Sequence, residues 1–265
     1  MKKLGLLMFT LFCAASIVYA GEVSSANQQG AEASYNQGVS ADQSGQFQKA
    51  VDEYNKALAQ DPNNAGTYYA RGLAYGKLGQ HQKAAEDFSK TIELDPSSSL
   101  PYYALGLADT KLGLDQKAIG NFTKSLKLNP KDPQAYFNRG NAYNRTNQNV
   151  KAINDFTVAI ALNPQVIDAY SGRGNSYIAI GQYQNAINDL KMVIQMDPHN
   201  AKAFSSLGLI YLKQNDVSSS CDDYYRAGLL YHIMQQDPEA LKCLEQMKKI
   251  CPTSPRIKEL TDKMK

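Results

Sequence analysis

Histidine and cysteine are scarce in this chain, three and four among 265 residues. None of His81, His199 and His232 has a serine or cysteine set beside it as a nucleophile with its base, so the sequence predicts no catalytic residues and no enzyme. Cys221, Cys243, Cys251 and His232 lack the closely spaced ligand pairs of a structural zinc site, so no metal and no cofactor is expected. An excess of charge is lacking as well. The 28 basic residues face 25 acidic ones, and removing Lys2 and Lys3 with a leader takes two from 28 and leaves 26 against 25. No basic stripe interleaved with aromatics runs along the chain, so neither nucleic acid nor a membrane surface is an expected partner.

Long hydrophobic runs are limited to one. Lys2 and Lys3 precede an apolar stretch from Leu4 to Val18, and Val18-Tyr19-Ala20 offers small residues where a signal peptidase reads. A signal peptide over residues 1–20 is expected, with the mature chain starting at Gly21 and exported to a periplasm or secreted. The run is shorter than the roughly 20 residues a span needs, which weighs against an uncleaved anchor. A lipid anchor at Cys13 would place the bulky Phe12 where a small residue belongs. Residues 21–30, with paired serines and glutamines and no apolar periodicity, read as a flexible spacer.

What the chain does have is a period. Pro62, Pro96, Pro130, Pro164 and Pro198 stand 34 residues apart, and Gly38, Gly72, Gly106, Gly140, Gly174 and Gly208 keep the same interval. Such a period belongs to stacked helix pairs, each too small to bury its apolar face alone. With the proline as position 32, units begin at Ala31, Ala65, Ser99, Pro133, Ile167 and Ala201. Position 20 is then Ala50, Ala84, Ala118, Ala152 and Ala186, and position 24 is Tyr54, Phe88, Phe122, Phe156 and Leu190. Positions 4, 8 and 11 share one helical face and 20, 24, 27 and 28 another. Each unit therefore reads as two antiparallel helices, broken near position 15 by Gly45, Gly79, Gly113, Asn147 or Gly181.

These columns resemble the tetratricopeptide repeat family, whose marks are an aromatic at 4, Gly at 8, Tyr at 11, Ala at 20, an aromatic at 24 and Pro at 32. The first unit departs from it, with Ser34 and Ala41 at positions 4 and 11. The resemblance implies an all-α, right-handed superhelical solenoid of antiparallel helix pairs that binds proteins or peptides without catalysis. The expected array spans residues 31–254, as units at 31–64, 65–98, 99–132, 133–166, 167–200, a truncated 201–220 and 221–254, with a capping helix at 255–265.

The grid breaks once. From Pro198 to Pro252 is 54 residues, one repeat plus 20, and restarting at Cys221 restores the columns with Tyr224, Gly228, Tyr231, Ala240 and Leu244. Fourteen residues are missing, and one helix near Cys221 to Met234 is expected to serve two units. In an exported chain the cysteines meet oxidising conditions. With the last turn near Gln236, Cys221 and Cys251 fall at matching heights and are the disulfide candidate, Cys243 being left over. Three unpaired packing cysteines are the alternative.

Charges repeat too. Arg71, Arg139 and Arg173 hold position 7 where Asp87, Asp155 and Asp189 hold position 23, while the third unit has Leu105 and Asn121. Structural ion pairs across each hairpin are expected, with the arginine stems covering apolar surface. Asp222 and Asp223 read as a solvated helix start.

In the resembled family, positions 2, 5, 9, 12 and 13 of the first helix line a concave groove. Here position 5 is Tyr35, Tyr69, Tyr103 and Phe137, then Ser171 and Ser205. Position 9 includes Asn141 and Asn175, and position 13 carries Lys77, Lys111 and Arg145. As a peptide-binding groove, the aromatics would give rigid contact area, the asparagines would pair with an extended backbone, and the cations would attract carboxylates. Otherwise the rings simply pack within the solenoid. The family's carboxylate clamp needs lysine at position 5, which never occurs here. The expected function is a scaffold or assembly factor of the cell envelope. Self-association into a homo-oligomer and a glycan-binding groove are the alternatives.

Overall fold

The computed structural model describes residues 28–264. The expected signal peptide and residues 21–27 of the expected spacer lie outside the described residues. Residues 28–30 correct the spacer: they belong to the first helix, α1, described over 28–43. All the described regular structure is helical, in fourteen helices. The chain divides after Pro130 into two compact units.

In the first unit, α1 is followed by α2 (Phe47–Gln60), α3 (Ala65–Lys77), α4 (His81–Leu94), α5 (Ser99–Lys111) and α6 (Asp115–Leu128). The second holds α7 (Pro133–Arg145), α8 (Asn149–Leu162), α9 (Ile167–Ala179), α10 (Tyr183–Met196), α11 (Ala201–Lys213), α12 (Val217–Ile233), α13 (Asp237–Ile250) and α14 (Pro255–Lys263).

The turn inside each hairpin requires a left-handed residue. Gly79 has φ 74°, and where glycine is absent Asn147, Asn215 and Gln235 take φ of 57–60°. The turns between hairpins are made by the Asp-Pro and Asn-Pro pairs. Asp61, Asp95, Asn163 and Asp197 each accept a bond at their side-chain oxygen from the backbone N–H two residues on. Asn64, Asp132, Asn200 and Asp216 then cap the next helix.

Packing follows the small-against-large columns. Phe88, Phe122 and Phe156 are 3% exposed or less and lie against Gly72, Gly106 and Gly140. Burying each ring contributes about 2–3 kcal/mol. Where the grid breaks, α12 is one 17-residue helix packed on both α11 and α13. Tyr224 on α12 lies against Gly208, while its Gly228 faces Leu260 of α14 and Cys243 of α13. The unit boundary expected between residues 220 and 221 thus falls inside α12.

Candidate functional site

The first unit carries an open cleft of about 280 Å³ between α3, α4 and α5. Its floor is Ala84, Phe88, Ala104 and Ala108, and Leu73 and Leu107, at position 9 of successive repeats, form its walls. Leu73 is 41% exposed, so the wall is presented to solvent. Lys77 and Lys111 stand at the rim and His81 at one end. The two lysines differ. Lys77 Nζ lies 2.7 Å from Asp42 Oδ2 and 5.0 Å from the Phe47 ring centre, so its charge is largely engaged. Lys111 is exposed and in no ion pair among the described residues.

The position-5 rings are half-buried, each leaning on the position-24 ring of its own hairpin. Tyr35 and Tyr54 centres are 5.8 Å apart, Tyr69 and Phe88 5.7 Å, and Tyr103 and Phe122 5.8 Å. Burial raises the Tyr69 phenol above its ordinary pKa. Each ring therefore helps build its hairpin, and none of Tyr35, Tyr69 and Tyr103 is among the residues lining the cleft.

In the second unit, Phe137 leans on Phe156 in the same way, at 6.0 Å. Beyond it the position-9 amides take over. Asn141 is half-buried and Asn175 exposed, and neither is hydrogen-bonded among the described residues. Their neighbour Asn144 is engaged: it donates to the Gly172 carbonyl and accepts from Ser176 Oγ. Arg145 is exposed at the end of α7.

The position-7 arginines are held inside their hairpins. Arg71 donates from Nε and Nη2 to Asp87 at 2.8 and 2.7 Å, Arg139 to Asp155 at 2.7 and 2.8 Å, and Arg173 to Asp189 at 2.9 and 2.7 Å. Arg71 and Arg139 each lie over two tyrosines of their own helix and Arg173 over Tyr170, Arg71 at 5.4 Å from Tyr68 and 5.8 Å from Tyr75. Hydrogen bonding to the aspartate raises the pKa of Arg71 and of Arg173. Spare donors reach the preceding repeat, Arg71 Nη1 to Asn55 Oδ1 at 2.6 Å and Arg173 Nη1 to Thr157 Oγ1 at 3.0 Å.

In the third repeat Asn121 donates to Asp109 Oδ2 at 2.8 Å, so the acid has moved to position 11 and the amide to position 23. Asp109 is buried, and burial raises its carboxyl pKa. Asp222 and Asp223 are not the solvated helix start expected from the sequence, since α12 begins at Val217 and Asp223 is 8% exposed. The signal was present in the grid, because Asp223 falls in the position-23 column with Asp87, Asp155 and Asp189. Cys221 and Cys251 are joined by a disulfide with Cα atoms 6.4 Å apart, and Cys243 is a buried free thiol.

Residues 43–79 and 174–215 match the TPR repeat, and residues 65–98 and 121–154 match the tetratricopeptide repeat. The crystal structure of MamA is 30% identical over 62% of this chain and 96% of its own, with a TM-score of 0.59. The chain belongs to the tetratricopeptide repeat family. Its fold is also shared with YrrB, described as a TPR protein with an unusual peptide-binding site, at 20% identity over 79% of this chain and 97% of that one, TM-score 0.54. PilF of Pseudomonas aeruginosa is similar at 16% identity over 90% and 99%, TM-score 0.59. Among curated proteins no sequence matches. A TPR chain of this kind is a protein-interaction scaffold, in a family that is generally non-catalytic. No described helix is long and apolar enough to cross a membrane.

Proposed function

We propose that this TPR protein is a non-enzymatic, exported scaffold or assembly factor of the cell envelope that holds extended peptide segments on the groove-side faces of its first helices. The observation that carries the reading is the solvent-open apolar cleft walled by Leu73 and Leu107 with Lys111, in no ion pair among the described residues, at its rim. A hydrophobic side chain next to an acidic one would suit it. The unengaged Asn141 and Asn175 amides of the second unit fit the same reading, since each can both donate to and accept from a peptide backbone. The basic-then-apolar leader supports export.

A displayed peptide library selected on residues 21–265 tests this, with affinities measured by calorimetry. Apolar-acidic peptides are expected, with Leu73→Asp or Leu107→Asp weakening them tenfold or more and Lys111→Glu selectively weakening the acidic ones. Selected peptides that bind all three variants as well as the parent would overturn the proposal. The test avoids Tyr69, Tyr103 and Phe137, whose removal would leave holes beside Phe88, Phe122 and Phe156.

A further inference from the structure

Position 23 carries a buried aspartate in four helices, and three of them are capped by the position-7 arginine of the same hairpin. The fourth, Asp223, is 8% exposed and makes no hydrogen bond or ion pair among the described residues. Position 7 of its repeat is Leu207, so the guanidinium is missing. The flanking rings are nevertheless kept, as Phe204 at position 4 and Tyr211 at position 11. Phe204, Leu207, Tyr211 and Asp223 line one pocket of about 320 Å³ between α10, α11 and α12.

We propose that this pocket is a receptor for the guanidinium of an arginine side chain on a partner protein, entering from solvent into the space that an internal arginine fills in three other repeats. Leu207 is shorter than that arginine and carries no charge, and the open pocket lies beside it, with Arg226 over the Phe204 ring on its border. A buried carboxylate without a partner is costly, and a fork making two charge-assisted bonds offsets that cost. The Tyr211 ring, which carries no cation of its own among the described residues, adds cation–π attraction.

Two cations of the chain border the pocket without capping the acid. Arg226 is 5.7 Å from the Phe204 ring centre, and Lys191 lines the wall. Asp222 is engaged by Arg256 and does not compete for the incoming group. Both cations oppose any incoming positive group, so the selectivity for arginine over lysine rests on the planar fork that can make two bonds to one carboxylate. The site is distinct from the groove-side faces proposed above.

Titration of the full chain with N-acetyl-L-arginine amide tests the proposal, followed by NMR of the Asp223 carboxylate and of the Phe204 and Tyr211 rings. Saturable binding is expected, at least tenfold tighter than for the uncharged citrulline analogue and tighter than for the lysine analogue. Asp223→Asn should abolish it, Arg226→Ala should strengthen it, and Leu207→Arg should abolish it while the variant melts no lower than the parent. Free L-arginine should bind no better than the capped form. Tighter binding of the free amino acid would overturn the assignment to a side chain. Equal binding of the citrulline analogue, or binding retained in folded Asp223→Asn and Leu207→Arg, would overturn the site itself.

Discussion

Gly106 and Phe122 share one space: a β-carbon on Gly106 would stand 2.7 Å from Phe122 Cε1. At Gly174 the position-24 residue is Leu190, and the nearest atoms would be 3.6 Å away. The two glycines occupy the same column, yet only one is required. Gly106→Ala should destabilise by about 1–3 kcal/mol through overpacking. Gly174→Ala should be neutral or stabilise by up to about 1 kcal/mol, because alanine favours helix. Urea unfolding of the two variants checks this, and equal effects would contradict it.

Removing Arg71 strands Asp87, whose side chain is 7% exposed. Arg71→Leu should therefore cost about 2–4 kcal/mol, less than a fully buried pair because the arginine is partly solvated. The double variant Arg71→Leu with Asp87→Asn should recover at least half, since no charge is left unpaired. A double-mutant cycle measured by chemical denaturation reads the difference.

The disulfide between Cys221 and Cys251 closes a 30-residue separation, which corresponds to about 3–4 kcal/mol of restricted unfolded chain. Cys221→Ser should lower stability by roughly that amount. Burial pushes the Cys243 thiol up to about 11, so in the folded protein it should resist alkylation near neutral pH. Urea unfolding measures the first, and mass spectrometry after iodoacetamide, with and without urea, the second. Rapid labelling of Cys243 without urea would contradict its burial.

Burial pushes the Asp223 carboxyl up to about 6, partly countered by Arg226 and Lys191, and raised further by Asp222 and Asp216. The folded value lies above that of the unfolded chain, near 4. The native state therefore binds the proton more readily, and its penalty for the charged form is full above pH 6 and relieved as pH falls towards 4. Asp223→Asn should be more stable than the parent by about 1–2 kcal/mol at pH 7.5, with the gap shrinking as pH falls to 4. Melting curves of both across that range test it, and a pH-independent gap would count against it.

Much of the hairpin architecture is legible in the columns, because a 34-residue period forces each helix to meet the same neighbours. The arginine–aspartate pairs could be read by comparing repeats, since both partners vanish together in the third. The Asn121–Asp109 bond could not, because the acid there sits in a column that holds Tyr75, Tyr143, Tyr177 and Tyr211 in other units. The cleft was only half visible. Leu73, Leu107 and Lys111 lie in the right columns, but the involvement of Lys77 with Asp42 depends on side-chain reach between neighbouring hairpins.

By itself the sequence determined the repeat, the turns, the small-against-large packing and the place where one helix serves two units. These follow from local backbone preference and from periodic burial, which repeat wherever the residues do. Only the tertiary structure decided which polar groups remain without a partner. Asp223 reads in the chain as one half of an acidic pair near a helix start. Its burial in one pocket with Leu207, Phe204 and Tyr211, without a hydrogen bond or ion pair to Arg226 or Lys191, arises from how α10, α11 and α12 pack in three dimensions.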